Sequence, residues 1–348
     1  MRFLLAPISW IYSLIVRLRN LLYDEGILRS HEVEIPTICV GNLALGGTGK
    51  TPHVEYIASV LSRQFKVAIL SRGYKRKSRG FVLADSNSTA ALLGDEVMQM
   101  HLHFPDIPIA VCNHRVKGIQ QLMSQIPDLQ VVILDDGFQH RRLKCGFNIL
   151  LTPYDKLYTN DHVIPLGRLR EPAEGATRAN GVIVTKCTEQ MTPIERRVIV
   201  SSLHVHPFQK VWFSKYNYGE IYAVFENAMP LPDKSKLRPL ILTGIAHPEY
   251  LIETIDKTGL DYSHLRFDDH HNFTKSDMEK IRRACKVHRA NCIITTEKDA
   301  VRLYENKFLT DDIKSMLYAL PIQVEILQDA EVLIKQIISY VTENNRNR

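Results

Sequence analysis

The chain of 348 residues is 45% apolar and 24% charged, with a formal charge of +6 and a pI near 8.9. That balance excludes a disordered or collagen-like chain, and the length allows two domains that each bury a core. The mild positive charge fits anionic partners, whether phosphates, an acidic membrane surface or nucleic acid. Six cysteines without a C-x-x-C pair fit a reduced interior and neither a disulfide frame nor a zinc knuckle.

The N-terminal segment stands apart. Fourteen residues from Phe3 to Val16 carry no charge, too few for a membrane span of roughly 20 residues. The basic residues Arg17 and Arg19 follow the apolar run, the reverse of a secretory signal. Ser9, Ser13, Arg17 and Asn20 fall on one side of a helix, and Trp10, Ile11, Leu14, Ile15, Leu18, Leu21 and Leu22 make a broad apolar face. The expectation for residues 1–30 is an amphipathic helix in a membrane interface, with a helix packed on its own domain as the alternative.

From Glu34 onward, short apolar runs alternate with helical patterns, which predicts an α/β fold with a parallel sheet. Strands are expected at 37–40, 66–70, 131–134, 147–151 and 181–186, and a helix from the end of "GGTGKTP" to about Ser62. The first domain is expected over 31–204. The stretch 205–232, aromatic and alternating around Asn217 and Gly219, reads as a β-hairpin linker or hinge. A smaller α/β domain is expected over 233–348, with strands at 239–244, 292–296 and 321–327, a helix opened by Thr274 and a last helix to about Val341.

"VGNLALGGTGKTP" (40–52) follows a strand and precedes a helix, the setting in which loop amides and a helix N-terminus converge on phosphate. Ala44 stands where the G-x-x-x-x-G-K-[ST] pattern has its first glycine. Gly46, Gly47 and Gly49 admit close approach, Lys50 reaches β and γ phosphates and Thr51 binds Mg²⁺. The nucleotide-binding residues are therefore expected to be Ala44, Leu45, Gly46, Gly47, Thr48, Gly49, Lys50 and Thr51. "VVILDD" (131–136) supplies the acid that a Mg²⁺-nucleotide site needs at a neighbouring strand end, in Asp135 and Asp136. The basic run "LSRGYKRKSRG" (70–80) lies at a strand's carboxyl end, where it faces a substrate phosphate or merely solvent; nucleic acid, which calls for a broader basic face, is not expected. Asp95 in "GDE" begins a helix and serves as a cap or as a functional acid. "FDDHH" (267–271) is dense in metal-type ligands but has neither H-E-x-x-H spacing nor a cysteine partner.

In order along the chain, "VGNLALGGTGKTP", "LSRGY", "GDE", "LDDGFQHRRL", "LREP", "TGIAHP", "FDDHH" and "TTEKDAVRL" resemble the motifs of the tetraacyldisaccharide 4'-kinase family. The resemblance runs from the N-terminal helix to about Leu303. It implies a P-loop NTPase-like parallel sheet domain with a smaller C-terminal α/β domain. The implied activity is transfer of the γ-phosphate of ATP to the 4'-hydroxyl of a tetraacyldisaccharide 1-phosphate, giving lipid IVA at the cytoplasmic face of the bacterial inner membrane. The implied cofactors are ATP and Mg²⁺. The partners are the lipid disaccharide and that membrane face, with no obligate protein partner. By residue, it implies Thr51, Asp135, Asp136 and Glu171 around the metal, Asp95 as the base and His270 beside it. Arg72, Arg115, Gln139, His140 and Arg170 are implied contacts to phosphates or sugar. The chain departs from the family in "TGIAHP", where His247 replaces the more usual Asn.

The competing class is a membrane-associated P-loop ATPase switch. Those proteins resemble K-G-G-x-G-K-[ST], and Leu45 stands here in place of their first lysine.

Overall fold

The computed structural model of the chain describes residues 2–245, 248–269 and 271–346; His247 and His270 lie outside the described residues. The chain opens with α1 (Arg2–Asp24). There follow β1 (Thr37–Asn42), α2 (Lys50–Leu61), β2 (Val67–Ser71), β3 (Val82–Leu83), α3 (Ala90–Leu93), α4 (Asp95–His103) and β4 (Ile109–Val111). Next come α5 (Arg115–Gln125), β5 (Val131–Asp135), β6 (Phe147–Pro153), β7 (Gly181–Thr185), α6 (Pro193–Ser202) and β8 (Lys210–Tyr218). A second run contains β9 (Tyr222–Ala223), β10 (Pro239–Thr243), α7 (Glu249–Asp256), β11 (Ser263–Arg266), α8 (Lys275–His288), β12 (Cys292–Thr296) and α9 (Glu297–Tyr304). It ends in α10 (Asp311–Lys314), β13 (Leu317–Leu320), β14 (Ile322–Ile326) and α11 (Ala330–Arg346).

Two sheets result. The larger has the order β14-β8-β7-β6-β1-β5-β2-β4-β3 and is parallel except at its two edge strands. Its central strands β1, β2, β5 and β7 are buried along their whole length, as expected of parallel strands covered on both faces. The smaller has the order β11-β10-β12-β13-β9, with only the β9 edge antiparallel. The chain leaves β1 toward β2 on one side and crosses from β5 to β6 on the other. The crevice beyond the carboxyl end of β1 is thus where a doubly wound sheet presents a ligand site.

Two expectations are corrected. Residues 205–232 do not form a hairpin: β8 lies parallel to β7 in the large sheet, and β9 joins the small one. Asn217 is a paired strand residue opposite Gln323 rather than a turn. Likewise "PIQVEIL" is not in the small sheet. β14 is the antiparallel edge of the large one, and α11 buries Leu333, Ile337 and Val341 in the core that contains Ile38, Val54 and Ile149. The chain end therefore returns to the first unit. An alternating run such as Ile322–Ile326 reports that one face is buried, and nothing in its period names the sheet it joins.

Helix α1 is turned inside out relative to a soluble surface helix. Its polar side meets the protein: the Ser9 hydroxyl donates to the Val163 carbonyl at 2.5 Å and Asn20 donates to Glu171 at 3.1 Å. Tyr12 donates to the Arg170 carbonyl at 3.0 Å. Trp10, Ile11, Leu14, Ile15, Leu18 and Leu21 are each more than half exposed. Among the described residues no helix is long and apolar enough to cross a membrane.

Candidate active site

The phosphate loop is half strand and half turn. Ala44 forms an antiparallel bridge with Leu169, the Leu45 amide donates to the Arg168 carbonyl at 2.7 Å, and the Arg170 amide donates to the Leu43 carbonyl at 2.7 Å. The first half is thus extended backbone braced by 168–170, and a glycine at 44 is not required. Positive φ falls at Gly46 (105°) and Gly49 (91°), where the chain turns into α2. Thr48 is buried: Asn42 donates to its hydroxyl at 2.7 Å and Thr185 donates to its carbonyl at 2.9 Å. Leu45, Gly46 and Gly47 are exposed, while Lys50 and Thr51 are half-buried in the first turn of α2. No side chain caps that turn, so its amides and the helix dipole are presented to an anion.

The two aspartates at the end of β5, Asp135 as its last residue and Asp136 just beyond, point to different partners because Asp136 has a left-handed backbone, φ 52°. Asp135 is buried; Oδ2 accepts from the Ser71 hydroxyl at 2.8 Å, and Oδ1 is a buried oxygen without a hydrogen-bond partner. Burial, then the nearby Glu96 and Asp136, push its pKa up to about 6. Asp136 is enclosed by cations. Arg170 donates to both its oxygens at 2.8 and 3.0 Å, and Lys50 Nζ lies 3.9 Å from Oδ2. Burial opposes its ionisation, but Lys50, Arg170 and Arg115 outweigh that and hold its pKa below the usual range.

The remaining expected residues divide. Glu171 is buried and already engaged by Arg178 at 2.8 Å, Asn20 at 3.1 Å and Gln139 at 3.1 Å. Among the described residues no three His, Cys, Asp or Glu side chains converge to hold a metal. Arginine engages Asp136 and Glu171, and Asp135 alone of the three keeps a buried oxygen without a hydrogen-bond partner. Gln139 ties Glu171 to the Asn42 carbonyl, at 2.6 Å from the latter. Arg115 is 2% exposed and donates to the Cys112 carbonyl at 2.6 Å. Its other arm lies 3.5 Å from the carbonyls of Asp135 and Asp136, so it braces their backbone. His140 is held neutral by burial and by the neighbouring cations, led by Arg115, with its pKa down to about 4. Arg72 is exposed just beyond β2.

Asp95 opens α4 directly after Gly94, whose φ is 90° and whose own Cβ would sit 2.6 Å from the Tyr74 carbonyl. Arg302 of α9 donates through Nε to Asp95 Oδ2 at 2.8 Å, and Lys298 of the same helix donates to Glu96 at 3.1 Å. Since Glu96 is close enough to raise the pKa of Asp135, the start of α4 faces the carboxyl end of β5. His271 is a structural neighbour, stacked on Phe267 and 3.0 Å from Asp277.

A family model for tetraacyldisaccharide-1-P 4'-kinase matches residues 1–342. The chain belongs to that family. It is 45% identical over 357 aligned residues to the tetraacyldisaccharide 4'-kinase of Bacteroides thetaiotaomicron, covering 99% of this chain and 94% of that one. It is 44% identical over 345 residues to the enzyme of Flavobacterium johnsoniae, covering 99% and 98%. The crystal structure of "apo" form LpxK from Aquifex aeolicus in complex with ATP superimposes with a TM-score of 0.77 at 27% identity, covering 98% of this chain and 99% of that one. The enzyme is thus a tetraacyldisaccharide 4'-kinase on a P-loop NTPase-like sheet.

Several residues of the kinase gave no signal in the sequence. His53, one turn into α2, is fully buried between the Gly49 carbonyl at 2.7 Å and the Ser214 hydroxyl at 2.9 Å, and burial lowers its pKa to about 4. Asn42 and Thr185 hold Thr48 from either side. Glu55, His103 and Glu297 join α2, α4 and α9: His103 contacts Glu55 at 3.5 Å and bonds Glu297 closely. Each is an ordinary residue in an ordinary helical or strand pattern, and only the pairing across elements gives it a role. A polar residue at the last position of an apolar strand, as at Asn42 and Thr185, is the one local hint.

Proposed function

We propose that the kinase transfers the γ-phosphate of ATP to the 4'-hydroxyl of a tetraacyldisaccharide 1-phosphate, forming lipid IVA, while docked on the cytoplasmic face of the inner membrane through α1. The observation that carries the assignment of roles is the meeting of an uncapped α2 and its Lys50 with the strand-end carboxylates Asp135 and Asp136, and of Asp135 with the start of α4 through Glu96.

Lys50, the amides around Gly46–Lys50 and the first turn of α2 hold the phosphates and offset their charge. Asp135 and Thr51 are the residues that would hold Mg²⁺: a buried carboxylate oxygen without a partner fits a hard cation that takes one or two carboxylates and otherwise water and phosphate. When bound, that ion supplies charge neutralisation across the phosphates. Asp136 and Arg170 would add a fixed charge pair to the same site, with Arg170 held to Asp136 and to the Asn42 backbone. Asp95 accepts the 4'-hydroxyl proton as the new oxygen–phosphorus bond forms and the bond to the ADP oxygen breaks. His270, implied by the family resemblance, is proposed to orient Asp95. Arg72, exposed on the same carboxyl edge, is proposed for a substrate phosphate, and Gln139, His140 and Arg115 for the framework behind it.

The test is direct: the protein, Mg²⁺-ATP and tetraacyldisaccharide 1-phosphate should give phosphorylated lipid. ATP turnover with no labelled lipid would sink the kinase reading and favour the ATPase switch. Asp95→Ala and His270→Ala should depress transfer while nucleotide binding persists; loss of nucleotide binding would recast both residues.

A further inference from the structure

We propose that Arg302 is a positioning residue for Asp95: α9 of the smaller sheet's unit delivers a fixed guanidinium that orients the base on α4 for the transfer. The proposal rests on the reading of Asp95 as the hydroxyl-activating carboxylate.

The geometry is specific. Arg302 is anchored on its own side before it reaches Asp95. Its Nη1 donates to the Gly244 carbonyl at 3.0 Å and to Asp299 Oδ1 at 2.9 Å. Asp299 is fully buried and locked in turn, accepting from the Gly244 amide and the Thr296 hydroxyl at 2.8 Å each. Thr296 caps α9 at the corner where β12 ends. The guanidinium is thus held by the ends of β10 and β12 and by the first turn of α9, with 7% of the side chain exposed, and it presents Nε to Asp95 at 2.8 Å. A side chain whose rotamers are fixed this way costs little further ordering when it makes its last bond.

The contact crosses between the two sheets' units. Asp95 and Glu96 are consecutive at the start of α4, and Arg302 and Lys298 are one turn apart on α9. Two cross pairs, Asp95–Arg302 and Glu96–Lys298, therefore set the register of one helix against the other. The far end of α4 is held by the same helix through His103 and Glu297. A change that shifted α9 would carry the base with it. Among the described residues, the charged groups that face Asp95 include Arg302 of α9, Lys298 of the same helix through Glu96, and Glu305 just past its end, whose carboxylate also takes the Ala90 amide at 2.7 Å. Asp299 stands behind Arg302.

A fixed guanidinium beside a carboxylate favours its ionised form over its protonated one, so Arg302 bears on the charge of Asp95 as well as on its orientation. A tie that served folding alone would leave the pH profile where it is.

The experiment is a pH–rate series on the full-length enzyme with Arg302→Met and Arg302→Lys, with ATP binding and thermal unfolding measured alongside, and a cycle with Asp95→Asn. In R302M the acid limb of kcat/KM should move to higher pH, with transfer on the plateau above it reduced at least tenfold by lost orientation and the ATP KM within about twofold. R302K, which keeps the charge, should leave the limb in place and lower kcat. In the D95N background R302M should cost nothing further. If R302M does not fold, Arg302→Gln carries the same expected limb shift. An unmoved limb together with a full additional loss in D95N overturns the inference and leaves Arg302 as a structural tie. Transfer that survives D95N overturns instead the reading of Asp95 as the base, whatever Arg302 does.

Discussion

Gly49 lies against Tyr216. A Cβ built on Gly49 would collide with the tyrosine hydroxyl, and its φ of 91° is itself one that L-residues avoid. The phosphate loop is thereby closed from the β8 side by an aromatic ring, and the glycine before Lys50 is fixed by both sterics and backbone. Gly49→Ala should lower ATP affinity by at least an order of magnitude, since a strained residue costs of order 1–3 kcal/mol before any clash is counted. Ala44→Gly should have the smaller effect, about 0.5–1 kcal/mol of stability, because Ala44 sits in extended backbone bridged to Leu169. Isothermal titration with ATP and thermal melts of both variants check the order. An A44G loss as large as that of G49A would contradict the bridge.

Asp135 stores instability for the sake of its site. Its folded pKa of about 6, against an ordinary 3.8, means the folded protein holds the proton more tightly than the unfolded chain. The stabilising contribution is fully present below pH 3.8 and is lost as pH rises through about 6. In EDTA at pH 7.5, Asp135→Asn should therefore be more stable than the parent, by up to ~3 kcal/mol, and the gap should narrow as pH falls below about 6. The same variant should lose transfer by about a hundredfold or more, as expected when a charge-bearing group at a phosphoryl-transfer site is removed. Denaturant titrations across pH with a transfer assay test both halves; a variant less stable than the parent at pH 7.5 would refute the first.

The loop at 40–52 and the strand-end Asp135 and Asp136 were legible because each places a special residue type at the end of an apolar run. The inner strands were legible for the same reason: a doubly buried parallel strand is a bare apolar run. The return of β14 and α11 to the large sheet was not, since Ile322–Ile326 and the amphipathic α11 bury one face whichever sheet receives it. Nor was the division of labour between Asp135 and Asp136, which turns on a left-handed backbone at the second and on Arg170, thirty-four residues away in sequence. Nor were the partners of Glu171, which are Arg178, Asn20 and Gln139. Such outcomes depend on which side chains meet across the fold, and no local period records that.

His103 is the cation of a buried acid pair. Its bonds to Glu297 and Glu55 raise its pKa to about 10 against the opposing effect of burial, while burial also lifts Glu55 above the usual carboxylate range. A raised histidine stabilises the fold fully below its unfolded pKa of 6.5 and ceases to do so as pH climbs toward about 10. His103→Gln should cost about 3 kcal/mol at pH 6.5, the low end for breaking a buried ion pair. The difference from the parent should shrink steadily between pH 7 and pH 10. Urea titrations at pH 6.5, 8 and 9.5 measure it, and a gap that stays constant would show that His103 acts by packing rather than by charge.

The outward face of α1 gives the last prediction. Trp10, Ile11, Leu14, Ile15 and Leu18 are between 52% and 69% exposed, while Ser9, Tyr12 and Asn20 bond inward, so the face left to the solvent is the apolar one. Each large side chain moved out of water contributes on the order of 1.5–3 kcal/mol when fully buried, so partial insertion of five suffices for reversible membrane binding. A replacement of Trp10, Leu14 and Leu18 by serine removes much of that face and none of the inward bonds. The variant should keep its melting temperature and ATP affinity. It should fail to co-sediment with vesicles of phosphatidylethanolamine and phosphatidylglycerol that retain the parent, and should phosphorylate lipid substrate poorly in those vesicles and normally in detergent. Unchanged co-sedimentation would place membrane contact elsewhere, and a fall in melting temperature would mean that this face packs on protein.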